Sequence, residues 1–126
     1  MAIVKTSIKP FLTVSQGVNA VDFYTNAFGA VESQRFHLPD NKISSVLTIE
    51  GAAFYLSDEE PCDGAFKPQG SASIRIVLET KNADTLFKNA IQFGASEICP
   101  MVTEEDWRIG KLQDPFGHIW EIGFPL

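Results

Sequence analysis

Two stretches of this chain carry apolar residues at the same helical spacing, and that match limits the fold to one built by duplication. Ala20, Phe23, Tyr24, Ala27 and Phe28 fall at i, i+3, i+4, i+7 and i+8, and Ala83, Leu86, Phe87, Ala90 and Ile91 repeat the pattern 63 residues later, half the 126-residue length. Each stretch closes on Phe-Gly-Ala (Phe28-Gly29-Ala30 and Phe93-Gly94-Ala95), where glycine can take the left-handed conformation that stops a helix. The second copy is two residues longer before its glycine, so the offset drifts to 65.

Each helix follows a strand-like run, Ile8–Val14 or Ser73–Glu79. Three more strand candidates come after it: Ala30–Leu38, Ile43–Glu50 and Ala52–Ser57 in the first half, Ala95–Thr103, Arg108–Gln113 and His118–Phe124 in the second. Turn residues separate them, notably Pro39-Asp40-Asn41, Gly51 and Asp114-Pro115-Phe116-Gly117. The chain therefore reads βαβββ twice. The expected fold is α+β and a single domain over 1–126, with modules at about 8–57 and 72–124 and a linker over 58–71. A helix covers one face of each four-stranded half and leaves the other open. Two open faces laid toward one another, helices outside, would enclose a cavity suited to a ligand.

Composition narrows the partners. Ten basic against 16 acidic residues give a net charge of −6, which argues against nucleic acid. No apolar run approaches a membrane span and the first residues lack a secretory signal pattern, so a cytoplasmic protein is expected. Cys62 and Cys99 have no partner at metal-binding spacing and read as free thiols. The runs Asp58-Glu59-Glu60 and Glu104-Glu105-Asp106 read as solvated loop charge.

The duplicated arrangement, with Phe23-Tyr24 and Phe28-Gly29 in the first module and Asp114-Pro115-Phe116-Gly117-His118-Ile119-Trp120-Glu121 closing the second, resembles the glyoxalase/bleomycin-resistance/dioxygenase superfamily, also called vicinal oxygen chelate. Trp107, Gly110 and Leu56-Ser57-Asp58-Glu59 are similar to a subgroup of small glyoxalase-like proteins often labelled demethylubiquinone methyltransferase-like. The resemblance implies a homodimer and, in metal-dependent members, a divalent ion. Its ligands there are a His or Gln opening the first strand, a Glu in the fourth, a His opening the fifth and a Glu in the eighth.

Strand parity assigns those positions here. Leu12 and Val14 pack on the helix, so Lys9, Phe11 and Thr13 face the cavity; in the fifth strand Ser73, Arg75, Val77 and Glu79 do. Matching Gly51 to Gly117 aligns Tyr55 with Glu121. The four positions thus hold Lys9, Tyr55, Ser73 and Glu121, a poor donor set for a transition metal, and neither a metal nor another cofactor is expected. His118 has the parity of Trp120 and reads as a packed or capping residue; His37 points to the cavity or to solvent.

Glu121, set in an otherwise apolar strand, needs a partner, and reads either as a general acid/base or ligand anchor or as a structural ion pair with Lys9 or Arg75. Tyr55 and Trp107 offer aromatic walls or core packing, and Arg75 either binds a carboxylate or pairs with an acid such as Glu79 or Glu121. The expected function is binding of a small organic molecule, cationic or aromatic, by Lys9, Phe11, Thr13, His37, Tyr55, Ser73, Arg75 and Trp107. The alternative is a glyoxalase-type isomerase, lyase or dioxygenase, with or without a metal, using Glu121 as acid/base. A third reading is a structural or regulatory dimer with a closed core.

Overall fold

The computed structural model describes residues 4–70 and 73–126; the end of the expected linker and the start of the expected second module, residues 71 and 72, lie outside the described residues. The chain forms β1 (Phe11–Val14), α1 (Gly17–Phe28), β2 (Val31–Leu38), β3 (Lys42–Ile49) and β4 (Ala52–Asp58). It then repeats the series as β5 (Arg75–Glu79), α2 (Ala83–Gln92), β6 (Ser96–Glu104), β7 (Trp107–Gln113) and β8 (Ile119–Pro125). Two four-stranded mixed sheets result, ordered β1-β4-β3-β2 and β5-β8-β7-β6, with β1 parallel to β4 and β5 parallel to β8.

Register fixes the repeat more sharply than helical periodicity does. Phe11 pairs with Tyr55 and Val77 with Glu121, so the offset is 66 in the first and last strands of each module, the same as between Gly51 and Gly117. Helix starts Gly17 and Ala83 share it. The 63-residue match was one turn out of phase, because an apolar stripe on a helix looks much the same after a shift of three or four residues. α2 ends with Gly94 N–H donating to Ile91 and Ala95 N–H to Ala90, a Schellman close around a glycine at φ 117°. The close of α1 is wider, with Ala30 N–H reaching back to Tyr24, and this shifts the later offset.

β1 begins at Phe11 rather than at the expected Ile8. Pro10 has no N–H to give a ladder, although its carbonyl accepts from Tyr55 N–H at 2.9 Å, and Ile8 is 97% exposed.

The helices pack on one another between the two sheets. Leu12, Val14, Leu47, Phe54 and Leu56 meet them from the first sheet, and Leu78, Leu112, Trp120 and Ile122 from the second, in one shared apolar core. Tyr24 sits at its centre, with ring centroids 5.4 Å from Phe54 and 5.7 Å from Trp120. Two buried carboxylates organise this core. Asp114 Oδ2 accepts from Tyr24 O–H at 2.5 Å and Trp120 Nε1–H at 2.9 Å, while Oδ1 accepts from the N–H groups of Phe116 and His118. Asp58, expected in solvent, is instead 7% exposed and accepts from the N–H of Gly17 at 2.8 Å and of Ile43 at 2.9 Å. It satisfies an orphan donor of α1 from a distant strand, because Gln16 at the N-cap makes no side-chain cap bond.

Because the helices occupy the space between the sheets, each sheet's opposite face is left open. No hydrogen bond, ion pair or aromatic contact among the described residues joins one open face to the other. No helix of the described residues is long and apolar enough to cross a membrane.

Candidate functional site

The open face of the second sheet is built by alternation. Its register places Arg75 beside Ile119, Val77 beside Glu121, and Glu121 opposite Lys111, all on the side away from Trp120 and Ile122. Arg75 Nε lies 2.7 Å from Glu121 Oε1, and Lys111 Nζ lies 3.4 Å from the same oxygen. Arg75 is the more exposed partner, at 57% of its side chain against 17% for Glu121. Beside this group a cavity of about 230 Å³ is lined by Lys111, Glu121, Cys99, Val102, Glu104 and Ile109, among others. Of the two ion-pair partners expected for Glu121, Arg75 takes the role and Lys9 does not.

Lys111 was missed in the sequence, although the signal was there. Asp114-Pro-Phe-Gly117 closes a hairpin, and counting outward from the observed pairs Gln113/Ile119 and Leu112/Trp120 reaches Lys111/Glu121 next.

The first sheet's open face carries Phe11, Thr13, Ala53, Tyr55 and Ser57, with Ser44, Val46 and Thr48 from β3 and Gln34 and Phe36 from β2. None of these strand residues is an acid; Lys42, which shares their parity at the start of β3, lies 3.7 Å from Glu60 Oε1. Phe11 and Tyr55 lie side by side, centroids 5.6 Å apart and rings tilted by 35°. Lys9 precedes β1, donates to Ser7 Oγ at 2.9 Å, and also lines a separate apolar cleft of about 370 Å³ that reaches Trp120.

The remaining expected residues are not gathered here. His37 pairs with Ile43, a buried residue, so it stands on the helix side of the sheet edge; a bulge between Glu32 and Gln34 resets the parity. There it joins Glu32, whose Oε2 accepts from Arg35 Nε at 2.9 Å and Ser45 Oγ at 2.6 Å. Burial works to raise the Glu32 carboxyl, but bonds from Arg35 and Ser45, with the Arg35 and His37 charges, hold it below its ordinary value. Ser73 precedes β5 and lines a groove with Phe11, Pro68 and His118. With the offset at 66, the counterpart of Lys9 is Arg75, not Ser73. Trp107 shares the open face with Glu121, but it starts β7 four residues from Lys111, about 13 Å along the strand. His118 caps β1 as expected, its Nε2 lying 2.9 Å from the Thr13 carbonyl.

The donor set also decides the metal question on chemical grounds. Lys9, Tyr55 and Ser73 or Arg75 accompany one carboxylate, and that carboxylate already faces two cations. These residues do not fit a divalent ion, and no cluster of three His, Cys, Asp or Glu side chains suited to one exists among the described residues. Glu121, the anchor expected for a cationic guest, is the carboxylate that Arg75 and Lys111 face.

No family model matches the sequence. An uncharacterized Mycobacterium bovis protein, Mb0911c, is 36% identical over 98% of this chain and 86% of its own length. The X-ray structure of the Arabidopsis thaliana product of At5g48480 superposes with a TM-score of 0.68 at 31% identity, covering 95% of this chain and 98% of that one. A glyoxalase-related enzyme from Fulvimarina pelagi superposes at TM-score 0.73 over 96% and 88% of the two chains, at 18% identity. The chain belongs to one family with Mb0911c and the At5g48480 product, and its fold is that of glyoxalase-related proteins. The fosfomycin resistance protein FosX of Listeria monocytogenes, crystallised with Mn(II) and sulfate, shares the fold at TM-score 0.71 and 13% identity, over 98% and 95% of the chains.

Proposed function

We propose that this protein binds a small organic molecule without a divalent metal, in a cavity completed when the open face of one module meets the other module's open face from a second copy. One observation carries the reading: each open face exposes apolar surface around a fixed centre. Phe11 is 58% exposed beside Tyr55, and Val77 is 62% exposed beside Glu121. Large side chains kept in solvent on a sheet face, away from a well-packed core, mark a binding surface. The outward aim of both faces favours a homodimer over closure within one chain. In this reading Tyr55 and Phe11 give the ligand a wall, and Glu121 orients the cations that meet it. A general-base role for Glu121 would require Arg75 and Lys111 to be displaced first.

The test combines light scattering with a thermal-shift screen of small metabolites, with and without chelator. A dimer whose melting point rises with an organic ligand, and is indifferent to chelator, is expected. Strong stabilisation by Zn or Ni with no response to any organic ligand would sink the reading. Glu121→Gln separates the alternatives, since a catalytic base would lose turnover while an anchor would change ligand affinity.

A further inference from the structure

We infer that the head group bound at the second sheet's open face is a carboxylate, carried on an apolar or aromatic body. This rests on the binding reading above and names the ligand class for that site. Arg75 and Lys111 converge on one oxygen, Glu121 Oε1. Nε is the Arg75 atom nearest Glu121, and among the described residues its two Nη groups make no hydrogen bond, so a fork of donors remains on a side chain 57% exposed. A planar carboxylate matches that fork in two parallel bonds, which a single-point donor cannot offer.

The surrounding charges place the head group. Glu79 lies on the same face four residues from Arg75, about 13 Å along β5, and Glu104 lines the cavity on its β6 side. Both carboxylates therefore bound the site away from the Arg75 end. At that end the neighbours are Ile119 and Gln113, both uncharged. The strand residues of the first sheet's open face include no acid, in a chain whose acids outnumber its bases 16 to 10, and Glu60 reaches that face only at its Lys42 end. Val77 beside Glu121, together with the Phe11–Tyr55 pair, suits an apolar or aromatic body. With Glu121 offsetting one of two cations, a monoanion is matched and a dianion is overcharged.

The test uses three isosteric probes on the full chain: phenylacetate, phenylacetamide and phenethylammonium, with phenyl phosphate as the dianion, titrated by calorimetry at low salt. Phenylacetate is expected to bind about tenfold tighter than the amide, a gap that 0.5 M NaCl narrows. Arg75→Gln and Lys111→Gln, each checked for an unchanged melting point, should bring phenylacetate down to the amide's affinity and leave the amide alone. Equal or tighter binding of the amide, the ammonium or the phosphate would overturn the carboxylate assignment and leave the binding reading standing. If none of the four binds in the millimolar range, the assignment falls, and the binding reading stands or falls by the metabolite screen. Unchanged phenylacetate affinity in both variants would overturn it as well.

Discussion

Replacing Asp114 by Asn changes one atom of the side chain, and should cost this protein a large part of its stability. The carboxylate is 3% exposed and accepts four hydrogen bonds, two at each oxygen. An amide turned either way presents its NH₂ to two donors: the N–H groups of Phe116 and His118, or Tyr24 O–H and Trp120 Nε1–H. Each buried donor left without an acceptor costs about 1–3 kcal/mol, so about 2–6 kcal/mol is at stake, less if the Tyr24 hydroxyl rotates to accept from the new amide. Against a domain stability of about 5–15 kcal/mol this is severe. Unfolding entropy for a chain of this length is about 0.26 kcal/mol per degree, so a 3 kcal/mol loss lowers the melting point by about 10 °C. Urea titration of wild type, Asp114→Asn, Tyr24→Phe and the double variant measures both the loss and the coupling. A midpoint for Asp114→Asn equivalent to less than about 0.5 kcal/mol of change, or strict additivity of the pair, would refute the account. The same hub sets an alkaline limit. Burial first, then the Asp114 charge and hydrogen bond, raises the Tyr24 phenol well above its ordinary value. A raised folded value means the contribution is full below the unfolded pKa of about 10 and is lost as pH climbs past it, a loss that Tyr24→Phe should blunt.

Other consequences can be checked on the same samples. Gly17→Ala should destabilise by about 1–3 kcal/mol although Ala is the better helix former, because its Cβ would stand 2.5 Å from Asp58 Oδ2 and 2.7 Å from Ile43 Cγ1; a stabilised variant in urea would contradict this. Glu50 accepts from Thr80 Oγ1 and Asn82 Nδ2 of the other module, and those bonds hold its carboxyl below the ordinary value. Like Glu32, it contributes stability that is present above the unfolded carboxylate pKa of about 4.3 and lost as pH falls below it; Glu50→Gln should flatten the acid side of a midpoint-against-pH curve. Phe11→Asp, on an exposed position of the open face, should leave the monomer fold intact by circular dichroism and weaken the dimer in light scattering.

Much of the fold was legible because βαβββ leaves two separate periodicities, 3.6 in the helices and 2 in the strands, and each was written twice. What periodicity cannot give is phase along a helix. The stripe Ala20-Phe23-Tyr24 matches Ala83-Leu86-Phe87 in pattern, yet Gly17 and Ala83 open the two helices. Hydrogen-bonded register separates 63 from 66, in agreement with the Gly51–Gly117 match that the helical stripes had masked. Long-range polar pairs were equally hidden. Asp58 reads as the first of three acids in a loop, and nothing near it in sequence shows that it is the acceptor for the start of α1, 41 residues away. Tyr24 and Asp114 are 90 residues apart and meet only because α1 is laid against the second sheet.

The phase correction also changes what the site is. At an offset of 63 to 65 the first ligand positions of the two modules looked like Lys9 and Ser73, an ammonium and a neutral hydroxyl with nothing in common. At 66 they are Lys9 and Arg75, and the fourth-strand positions paired through the register are Tyr55 and Glu121. By that count both positions hold a basic residue, but only Arg75 sits in an ion-pair cluster, while Lys9 precedes β1 and donates to Ser7 Oγ. A fixed organic cation attracts the oxyanions a bound dication would, but offers them hydrogen bonds in place of coordination and cannot lower a ligand's pKa by direct bonding. That difference separates recognition from Lewis-acid catalysis, and it is one ground on which we propose binding.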